Sequence, residues 1–458
     1  MVMKIPEKVA YIITTLMEHG FEAYAVGGCV RDTILGRIPG DWDITTSAHP
    51  EQVKELFKRT IDTGIQHGTV TVMLDKEGFE VTTYRIDGEY EDSRHPKSVE
   101  FTTNLVEDLK RRDFTINAMA YNHQTGMVDV FDGIGDMERR LIRCVGEARE
   151  RFDEDALRML RAVRFAGQLG FSIHETTKTA ICEKADTLKK ISAERIRVEL
   201  DKLLTSPNPE LLKTAYETGI TKVVLPEWDV MLETEQKNPH HIYTVGEHTI
   251  KALEAMHELW EEIGDSEDKK RYSILCWAAF LHDCGKPRAK RRDEKGIDHF
   301  YEHEVYGTEM AKDILRRLKF DNYTIDTVTR LVKWHDYRFG AKPVSIRRAV
   351  SKIGTDLMED LFLLQKADIL GQNPETWEEK LSKLSETEKK YREIREAGHC
   401  LCLKELQVNG RDLIDNGFTP GKGLGEILEY LLNIVLQEPE KNEREILLEL
   451  AKGYGKKE

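Results

Sequence analysis

The chain has 458 residues, of which 40% are hydrophobic, so it is long enough for several domains and apolar enough to give each a core. A formal net charge of −14 excludes indiscriminate binding to nucleic acid, but it does not exclude a nucleic-acid enzyme, because local patches set the contact energy. The sequence contains no apolar run of eighteen residues, no basic-then-apolar leader and no lipidation signal. Its seven cysteines are odd in number and scattered, which is typical of a reducing compartment. We therefore expect a cytoplasmic protein without membrane contact.

The predicted elements change character near residue 139. Before it, an amphipathic helix and further helical segments alternate with short β-rich runs at 21–26, 68–74, 79–85 and 127–132, and a polar stretch at 87–98 is typical of a loop. After it, helical periodicity dominates and prolines mark the breaks. These patterns predict an α+β N-terminal domain followed by all-α domains. We place the domains at 1–138, 139–230, 231–373 and 374–458, the last beginning with a long charged helix.

The most informative segment is a glycine turn followed by two aspartates. Gly27 and Gly28 follow a predicted buried strand, and glycines there allow backbone N–H groups to approach a phosphate closely. Arg31 adds a cation just beyond the turn. Asp41 and Asp43 are two residues apart, so on a strand they point to the same side. Two converging carboxylates beside a phosphate site suit Mg²⁺ bridging a triphosphate and an attacking hydroxyl.

Other polar residues in the first domain could complete such a site. Glu80 lies on a predicted strand as a candidate third carboxylate, although an edge-strand glutamate explains it as well. The run from Arg111 to Asn117 reads as a helix start, with Arg112 suited to a triphosphate and with Asp113 and Asn117 on one face, suited to a sugar. A plain helix cap would explain the aspartate but not the paired arginines and the asparagine.

The next helix combines acids and arginines in a pattern that suits base recognition. Asp155 and Arg158 together offer a hydrogen-bond acceptor beside donors, which matches the amine and ring nitrogen that cytosine and adenine present. Guanine and uracil present the opposite arrangement. Arg161 and Arg164 continue along the same helix at steps of three, where ordinary salt bridges are the alternative explanation.

At this point the chain resembles a known family. The glycine turn with Arg31-Asp32, the Asp41/Asp43 pair, the Arg-Arg-Asp-Phe run, Glu-Asp-x-x-Arg at 154–158 and Glu194-Arg195 are similar to the motifs of class II tRNA nucleotidyltransferases. These are CCA-adding enzymes of the polymerase-β superfamily, related to bacterial poly(A) polymerases. The resemblance covers about residues 20–205, with the motifs in the family's order. It implies a nucleotidyltransferase head at 1–138 and a helical neck at 139–230.

The resemblance also implies roles for individual residues. Asp41 and Asp43 would bind the catalytic Mg²⁺, and Gly28 and Arg31 the triphosphate. Arg112 and Asp113 would read the ribose. Asp155 and Arg158 would read the base, and the loop from Asp87 to Pro96 is similar to the element that lets family members switch from adding C to adding A.

A second candidate site lies in the third domain. His248, the His282-Asp283 pair and Asp368 fall on predicted helices, and such a set suits Mn²⁺, Fe, Ni²⁺ or Mg²⁺. The order resembles that of HD-domain phosphohydrolases, and His303 and His335 fall where two-metal members of that superfamily carry extra ligands. Lys286 would then lie near a phosphate. The resemblance implies a second divalent metal and phosphatase or 2′,3′-cyclic phosphodiesterase activity on RNA ends.

The final domain contains a glycine turn, Gly421-Lys422-Gly423, before a predicted helix. A turn of this kind suits a backbone–phosphate contact, and it is similar to the tail with which CCA-adding enzymes grip the tRNA elbow. An ordinary helical hairpin is the alternative.

Together the motifs predict template-independent addition of C, C and A to tRNA from CTP and ATP, in a complex with tRNA. An A-adding enzyme or a poly(A) polymerase is the alternative within the class. A protein that acts mainly as an HD phosphohydrolase on RNA ends or nucleotides, with an inactive head, is the alternative of another class. The sequence gives no prediction of oligomeric state.

Overall fold

The structure is a computed structural model that describes residues 2–88, 99–237, 242–264 and 267–454. The chain divides into two compact units between Pro226 and Glu227, which lies four residues before the predicted boundary at 230. Each unit is described by itself below. The loop predicted at 87–98 falls almost entirely outside the described residues.

The first unit is built on a seven-stranded mixed sheet with the order β3-β4-β5-β2-β1-β8-β9. The β2–β5 pair is parallel and the other pairs are antiparallel. A separate two-stranded hairpin, β6–β7, precedes the fourth helix. The strands are β1 (Ala23–Val26), β2 (Ile44–Thr46), β3 (Thr60–Gly64), β4 (Thr69–Leu74), β5 (Glu77–Thr83), β6 (Arg85–Asp87), β7 (Val99–Phe101), β8 (Met119–Asn122) and β9 (Gly126–Asp129).

Helices pack against this sheet and continue beyond it. α1 buries Ile12 and Leu16 under the sheet, and a core cluster around Tyr24, Tyr84 and Leu109 joins the sheet to α4. The helices of the unit are α1 (Glu7–Glu18), α2 (Gly28–Ile34), α3 (Pro50–Leu56), α4 (Leu105–Lys110), α5 (Gly133–Glu138), α6 (Ala148–Glu154), α7 (Leu157–Leu169), α8 (Glu175–Lys184), α9 (Ala193–Leu204), α10 (Leu212–Glu217) and α11 (Ile220–Val224).

The prediction that strands stop at residue 139 was wrong in one detail. β10 (Leu141–Ile142) and β11 (Ser172–Ile173) form a short parallel pair, and β12 (Arg291–Arg292) pairs with β13 (Asp298–His299) in the second unit. Each of these strands has two residues, too few to show an alternating pattern in the sequence.

The second unit is otherwise helical, as predicted. Its helices are α12 (Pro226–Glu233), α13 (Val245–Ile263), α14 (Lys269–Leu281), α15 (Lys286–Ala289), α16 (His303–Arg317), α17 (Asn322–Trp334), α18 (Pro343–Ile353), α19 (Met358–Leu370), α20 (Trp377–Glu396), α21 (Gly410–Asp415), α22 (Lys422–Gln437) and α23 (Arg444–Gly453). The long charged helix α20 buries Leu384, Tyr391 and Ile394, so it packs along one stripe. Among the helices of the described residues, none combines the length and the apolar character needed to span a membrane.

All seven cysteines are free thiols, and Cys182 on α8 is the exposed one. Burial raises the pKa of Cys29 to about 11, and it raises the pKa values of Cys144 and Cys400 to about 12.

Candidate active site

The glycine turn joins β1 to α2 and brings the backbone against an arginine. Gly27 has a φ of +82°, and a Cβ at this position would lie 3.1 Å from a terminal guanidinium nitrogen of Arg112. Glycine is needed here both for the backbone conformation and for this close approach. Gly28 is the first residue of α2, and Arg31 lies one turn later.

The carboxylates predicted to bind metal lie at the centre of the sheet. Asp41 and Asp43 are in the extended segment that leads into β2, just before the strand itself. Because Ile44 on β2 is in register with Val81 on the parallel β5, the preceding residues Asp43 and Glu80 are neighbours as well. Glu80, weighed in the sequence as a third carboxylate, therefore lies beside the predicted pair.

An open cleft lies over Asp43 and Glu80. It is lined by Val26, Asp43, Ile44, Thr69, Glu80, Thr82, Arg85, Arg111 and Arg112. Partial desolvation raises the pKa of Asp43, an effect that Arg112 opposes and Asp41 reinforces. The pKa of Glu80 is also raised, by partial desolvation and by its repulsion from Asp43 and Asp41. Crowded carboxylates of this kind are suited to a divalent cation, which would neutralise their mutual repulsion.

A hydrogen-bonded chain connects Arg31 to the next predicted residues. One terminal nitrogen of Arg31 donates to the Asn117 side-chain oxygen at 2.6 Å, and the Asn117 amide donates to Asp113 at 3.1 Å. Arg161 donates to the other oxygen of Asp113 at 2.9 and 2.6 Å. Burial alone would raise the pKa of Asp113, but Arg161 and Asn117 hold it well below its usual range. Arg31 also pairs with its neighbour Asp32.

The run from Arg111 to Asn117 follows the end of α4, so the prediction of a helix start was wrong. The segment then turns through a single 3₁₀ turn at Thr115–Asn117 and enters β8. Asp113 and Asn117 nevertheless contact each other.

The proposed base-reading pair lies at a break between two helices rather than within one. Asp155 follows the last residue of α6 and accepts from Arg195 on α9 at 2.6 and 3.3 Å. Arg158 on α7 is paired with Glu154 and donates to the Arg111 carbonyl at 3.0 Å. Each member of the pair thus has a protein partner that holds it in place.

Arg164 has a different environment from the other predicted arginines. It is buried, donates to Glu199 at 2.8 Å, and lies 3.5 Å from the centre of the Phe165 ring. Arg31 and Arg161 also lie over that ring, at 4.9 and 5.4 Å. Arg164 is therefore part of a packed cluster that supports the other two arginines. Phe165 and Glu199 were not predicted, because only the folded chain brings them to the arginines.

In the second unit, all six predicted metal ligands come together in what we call the histidine cluster: His248, His282, Asp283, His303, His335 and Asp368. In each of the four imidazoles, Nδ1 lies 2.7–3.0 Å from a backbone carbonyl. That contact makes Nδ1 the protonated nitrogen and turns the Nε2 lone pair inward.

The four inward nitrogens face each other in pairs. Nε2 of His248 lies 3.0 Å from Nε2 of His282, and Nε2 of His303 lies 3.1 Å from Nε2 of His335. Asp283 lies between the pairs, with Oδ2 at 3.2–3.3 Å from the first pair and Oδ1 at 3.5–3.6 Å from the second. Lone pairs this close repel unless a cation lies between them, so the cluster fits metal ions.

Two further side chains extend the histidine cluster. Asp368 lies 3.0 Å from His248, and Lys286 lies 2.7 Å from Asp283 and donates to Gln236 at 2.8 Å. The cluster resolves into two sets of three ligands, one of His248, His282 and Asp368 and the other of Asp283, His303 and His335. In the tail, the predicted glycine turn lies at the start of a helix: Gly421 is the N-cap of α22, and Lys422 and Gly423 are its first two residues.

The sheet, the carboxylates and the arginine-lined cleft define a nucleotidyltransferase head. Family models agree: residues 23–143 match the poly A polymerase head domain, residues 170–232 the probable RNA and SrmB-binding site of polymerase A, and residues 303–451 the putative tRNA nucleotidyltransferase domain 2.

Similarity to known proteins extends over nearly the whole chain. The CCA-adding enzyme of Lactiplantibacillus plantarum is 36% identical over 444 residues, 96% of this chain and 94% of that protein. That of Leuconostoc mesenteroides is 35% identical over 446 residues, 97% and 95% of the two chains. The crystal structure of the Bacillus stearothermophilus CCA-adding enzyme in complex with CTP has a TM-score of 0.71 and 31% identity, covering 99% of this chain and 98% of that one. The chain belongs to the CCA-adding enzyme family.

Proposed function

We propose that this chain adds C, C and A to the 3′ end of tRNA, using CTP and ATP and without a nucleic-acid template. The observation that carries the proposal is the cleft in which Asp43 and Glu80 face Arg111 and Arg112. Membership of the CCA-adding enzyme family supports the reaction, and the match of residues 303–451 to a tRNA nucleotidyltransferase domain supports tRNA as acceptor. The similarity to an enzyme in complex with CTP supports the nucleotide class.

The carboxylates would hold the catalytic metal. Asp41, Asp43 and Glu80 offer the oxygen ligands that Mg²⁺ prefers. Desolvation, reinforced by repulsion from neighbouring carboxylates, raises the pKa values of Asp43 and Glu80, and a cation would relieve that repulsion. Bound Mg²⁺ supplies charge neutralisation at the phosphates and lowers the pKa of the attacking tRNA hydroxyl. Because phosphoryl-type transfer depends on positioning and charge, a protein nucleophile is not required.

The remaining site residues would position the nucleotide. Gly28 and Arg31 would hold the triphosphate, with Arg31 fixed by Asp32 and Asn117. Arg112 would meet the sugar. The oxygens of Asp113 already receive bonds from Asn117, the Phe114 backbone N–H and Arg161, so we assign Asp113 to holding its neighbours as well as to ribose recognition.

Base selection would fall to the Asp155 and Arg158 pair. The carboxylate accepts from the exocyclic amine of C or A, while the guanidinium donates to the adjacent ring nitrogen. Arg161 and Arg164 would support this helix through Asp113 and Glu199. We propose the domains as predicted: a head at 1–138, a neck at 139–230, an HD domain at 231–373 and a tail at 374–458.

We also propose that the chain acts in the cytoplasm, which its free thiols favour.

The test uses tRNA transcripts that end before CCA, after C and after CC. Each is incubated with CTP, ATP or both, and the 3′ ends are sequenced. We expect complete CCA from the first transcript and loss of all addition in Asp43→Asn. Asp62→Asn is the matched control, because Asp62 is an exposed carboxylate on an edge strand of the same sheet. Addition of A alone to the CC-ended tRNA would contradict the proposal, and long A tails on unrelated RNA would indicate a poly(A) polymerase.

The histidine cluster supports a second function, metal-dependent hydrolysis of a phosphate ester at an RNA end. The inward-facing Nε2 pairs carry this proposal, since the backbone carbonyls fix all four rings for metal binding. A bound divalent ion would activate water and neutralise phosphate charge. Lys286, buried beside Asp283, supplies a further cation next to the ligands.

Hydrolysis is tested with Mn²⁺-loaded protein and RNAs ending in a 3′-phosphate or a 2′,3′-cyclic phosphate. We expect activity that a chelator and His282→Ala abolish. His257→Ala is the matched control, because His257 lies on α13, as His248 does, but bonds to Tyr272 instead. Product release that is insensitive to the chelator, or equal in His282→Ala, would refute the assignment.

A further inference from the structure

Asp108, a residue that no motif above includes, lies beneath the cleft of the head. It is the fourth residue of α4 and its side chain is fully buried, so it is shielded from both solvent and ligand. A buried carboxylate is costly unless several donors compensate it. The groups that compensate Asp108 therefore indicate its role.

Two arginines of the cleft wall converge on this one carboxylate. Arg111 donates to Oδ1 through Nε at 2.9 Å and through a terminal nitrogen at 2.7 Å, and Arg112 lies 3.4 Å from Oδ2. The arginines are adjacent in the chain and lie three and four residues after Asp108. Two neighbouring guanidiniums repel each other, and a single buried anion beneath them fixes both. Although burial opposes it, the two arginines hold the pKa of Asp108 below its usual range.

A third contact ties Asp108 to the strand that follows the metal ligands. The Thr45 hydroxyl lies 3.1 Å from Oδ2 of Asp108 and 3.2 Å from the Thr82 carbonyl. Thr45 lies on β2, two residues after Asp43, which immediately precedes that strand. Asp108 thus joins the arginine wall to the carboxylate wall of the cleft.

Arg112 reaches the glycine turn as well. Its guanidinium lies against the backbone of Gly27, and its charge acts on Asp43. A shift of Arg112 would therefore change its distance from the glycine turn and from Asp43.

We propose that Asp108 is a positioning residue that sets Arg111 and Arg112 for the sugar and phosphates that CTP and ATP share. The inference rests on the proposed nucleotidyl transfer. Because base selection involves Asp155 and Arg158, loss of Asp108 weakens both nucleotides equally and leaves the choice between them unchanged.

The experiment measures equilibrium binding of CTP and of ATP to the full chain with Mg²⁺ and without RNA, followed by the kinetics of addition to tRNA. For Asp108→Asn we expect Kd and KM to rise by about tenfold for both nucleotides, with a smaller change in kcat. Asp108→Glu restores most of the loss. The binding measurement needs no turnover, so absence of CMP incorporation by the wild-type chain would sink the proposed function separately from this inference.

Asp136 offers a matched control. It is also a buried carboxylate in the head, and it also receives bonds from a threonine and two arginines: Thr115, Arg139 and Arg143. Both of these arginines are partly exposed, and neither is among the described residues that line the cleft. Asp136→Asn is expected to leave the Kd values within about twofold.

Equal Kd changes in the Asp108→Asn and Asp136→Asn variants would overturn the proposal, as would an unchanged Kd in a folded Asp108→Asn protein. If Asp108→Asn does not fold, Thr45→Val replaces it, because this near-isosteric change removes the hydroxyl that contacts Asp108 and the Thr82 carbonyl and keeps the charge. We expect Thr45→Val to raise both Kd values by about threefold, and no change in that variant would overturn the inference.

Discussion

Metal binding to the histidine cluster should stabilise the second unit, and the size of the effect can be worked from the geometry. In each of the two pairs, the Nε2 nitrogens lie 3.0–3.1 Å apart. An ion that binds this arrangement and not the unfolded chain stabilises the fold by RT ln(1 + [L]/Kd), which is about 2.7 kcal/mol at one hundred times Kd. The second unit begins at Glu227 and ends with the chain. For a unit of roughly 230 residues, each kcal/mol raises Tm by about 2–4 °C, so one ion should raise it by about 5–11 °C.

Scanning calorimetry of the full chain, first treated with a chelator and then titrated with Mn²⁺, measures this shift. His282→Ala should lose most of it, because one of the two Nε2 pairs is gone. His257→Ala should retain it, since that ring bonds to Tyr272 away from the ligands. A shift below about 1 °C in the wild-type chain at saturating Mn²⁺, or an equal shift in His282→Ala, would refute the reasoning.

Three further predictions concern the first unit. Asp155→Asn should lower discrimination against UTP by roughly ten- to a hundredfold, because an amide can donate a hydrogen bond where the carboxylate only accepts one. Misincorporation of UMP measures this, and unchanged selectivity would contradict it. Phe165→Ala should lower the free energy of unfolding by about 3 kcal/mol, since three guanidiniums pack on the ring that this change removes. Urea unfolding measures the loss, with Phe165→Leu as the milder control. The raised pKa of Glu80 means that the folded chain holds the carboxyl proton more tightly than the unfolded chain does. Protonated Glu80 therefore contributes stability at low pH, and this contribution is lost as the pH rises through the raised pKa. Glu80→Gln should therefore raise Tm at pH 7.5 without Mg²⁺ but not below about pH 4, and an equal gain at both pH values would argue against it.

The sequence predicted the sheet only where hydrophobic alternation is strong. The runs that became β1, β4, β5 and β9 were recognised, whereas β2, β3 and β8 were not. β3 is an edge strand with three exposed central residues, so its pattern resembles a loop. β8 follows a segment whose composition favours a helix, and pairing with β1 and β9 overrides that local preference.

The residues of the candidate sites likewise divide into those that the sequence predicted and those that it did not. Asp43 was predicted from its spacing to Asp41, and His282 from the ligand chemistry and the order of the histidines and aspartates. Asp108 and Arg195 were given no role from the sequence, because an acid or an arginine on a helix usually forms a surface salt bridge. Their roles depend on which side chains the folded chain brings to them, and the four inward-facing imidazoles likewise become visible only once the backbone carbonyls orient them.

The free thiols have a practical consequence for studying the reaction. Cys29 adjoins the glycine turn, yet its pKa of about 11 leaves almost no thiolate at neutral pH, so maleimides should react with it slowly. Cys182 on α8 is the exposed thiol of the seven. A fluorophore can therefore be attached at Cys182, outside the cleft, once the partly exposed Cys402 has been replaced, while the five buried cysteines stay in place. Movements of the helical part of the first unit during successive additions could then be followed in a chain with its active site intact.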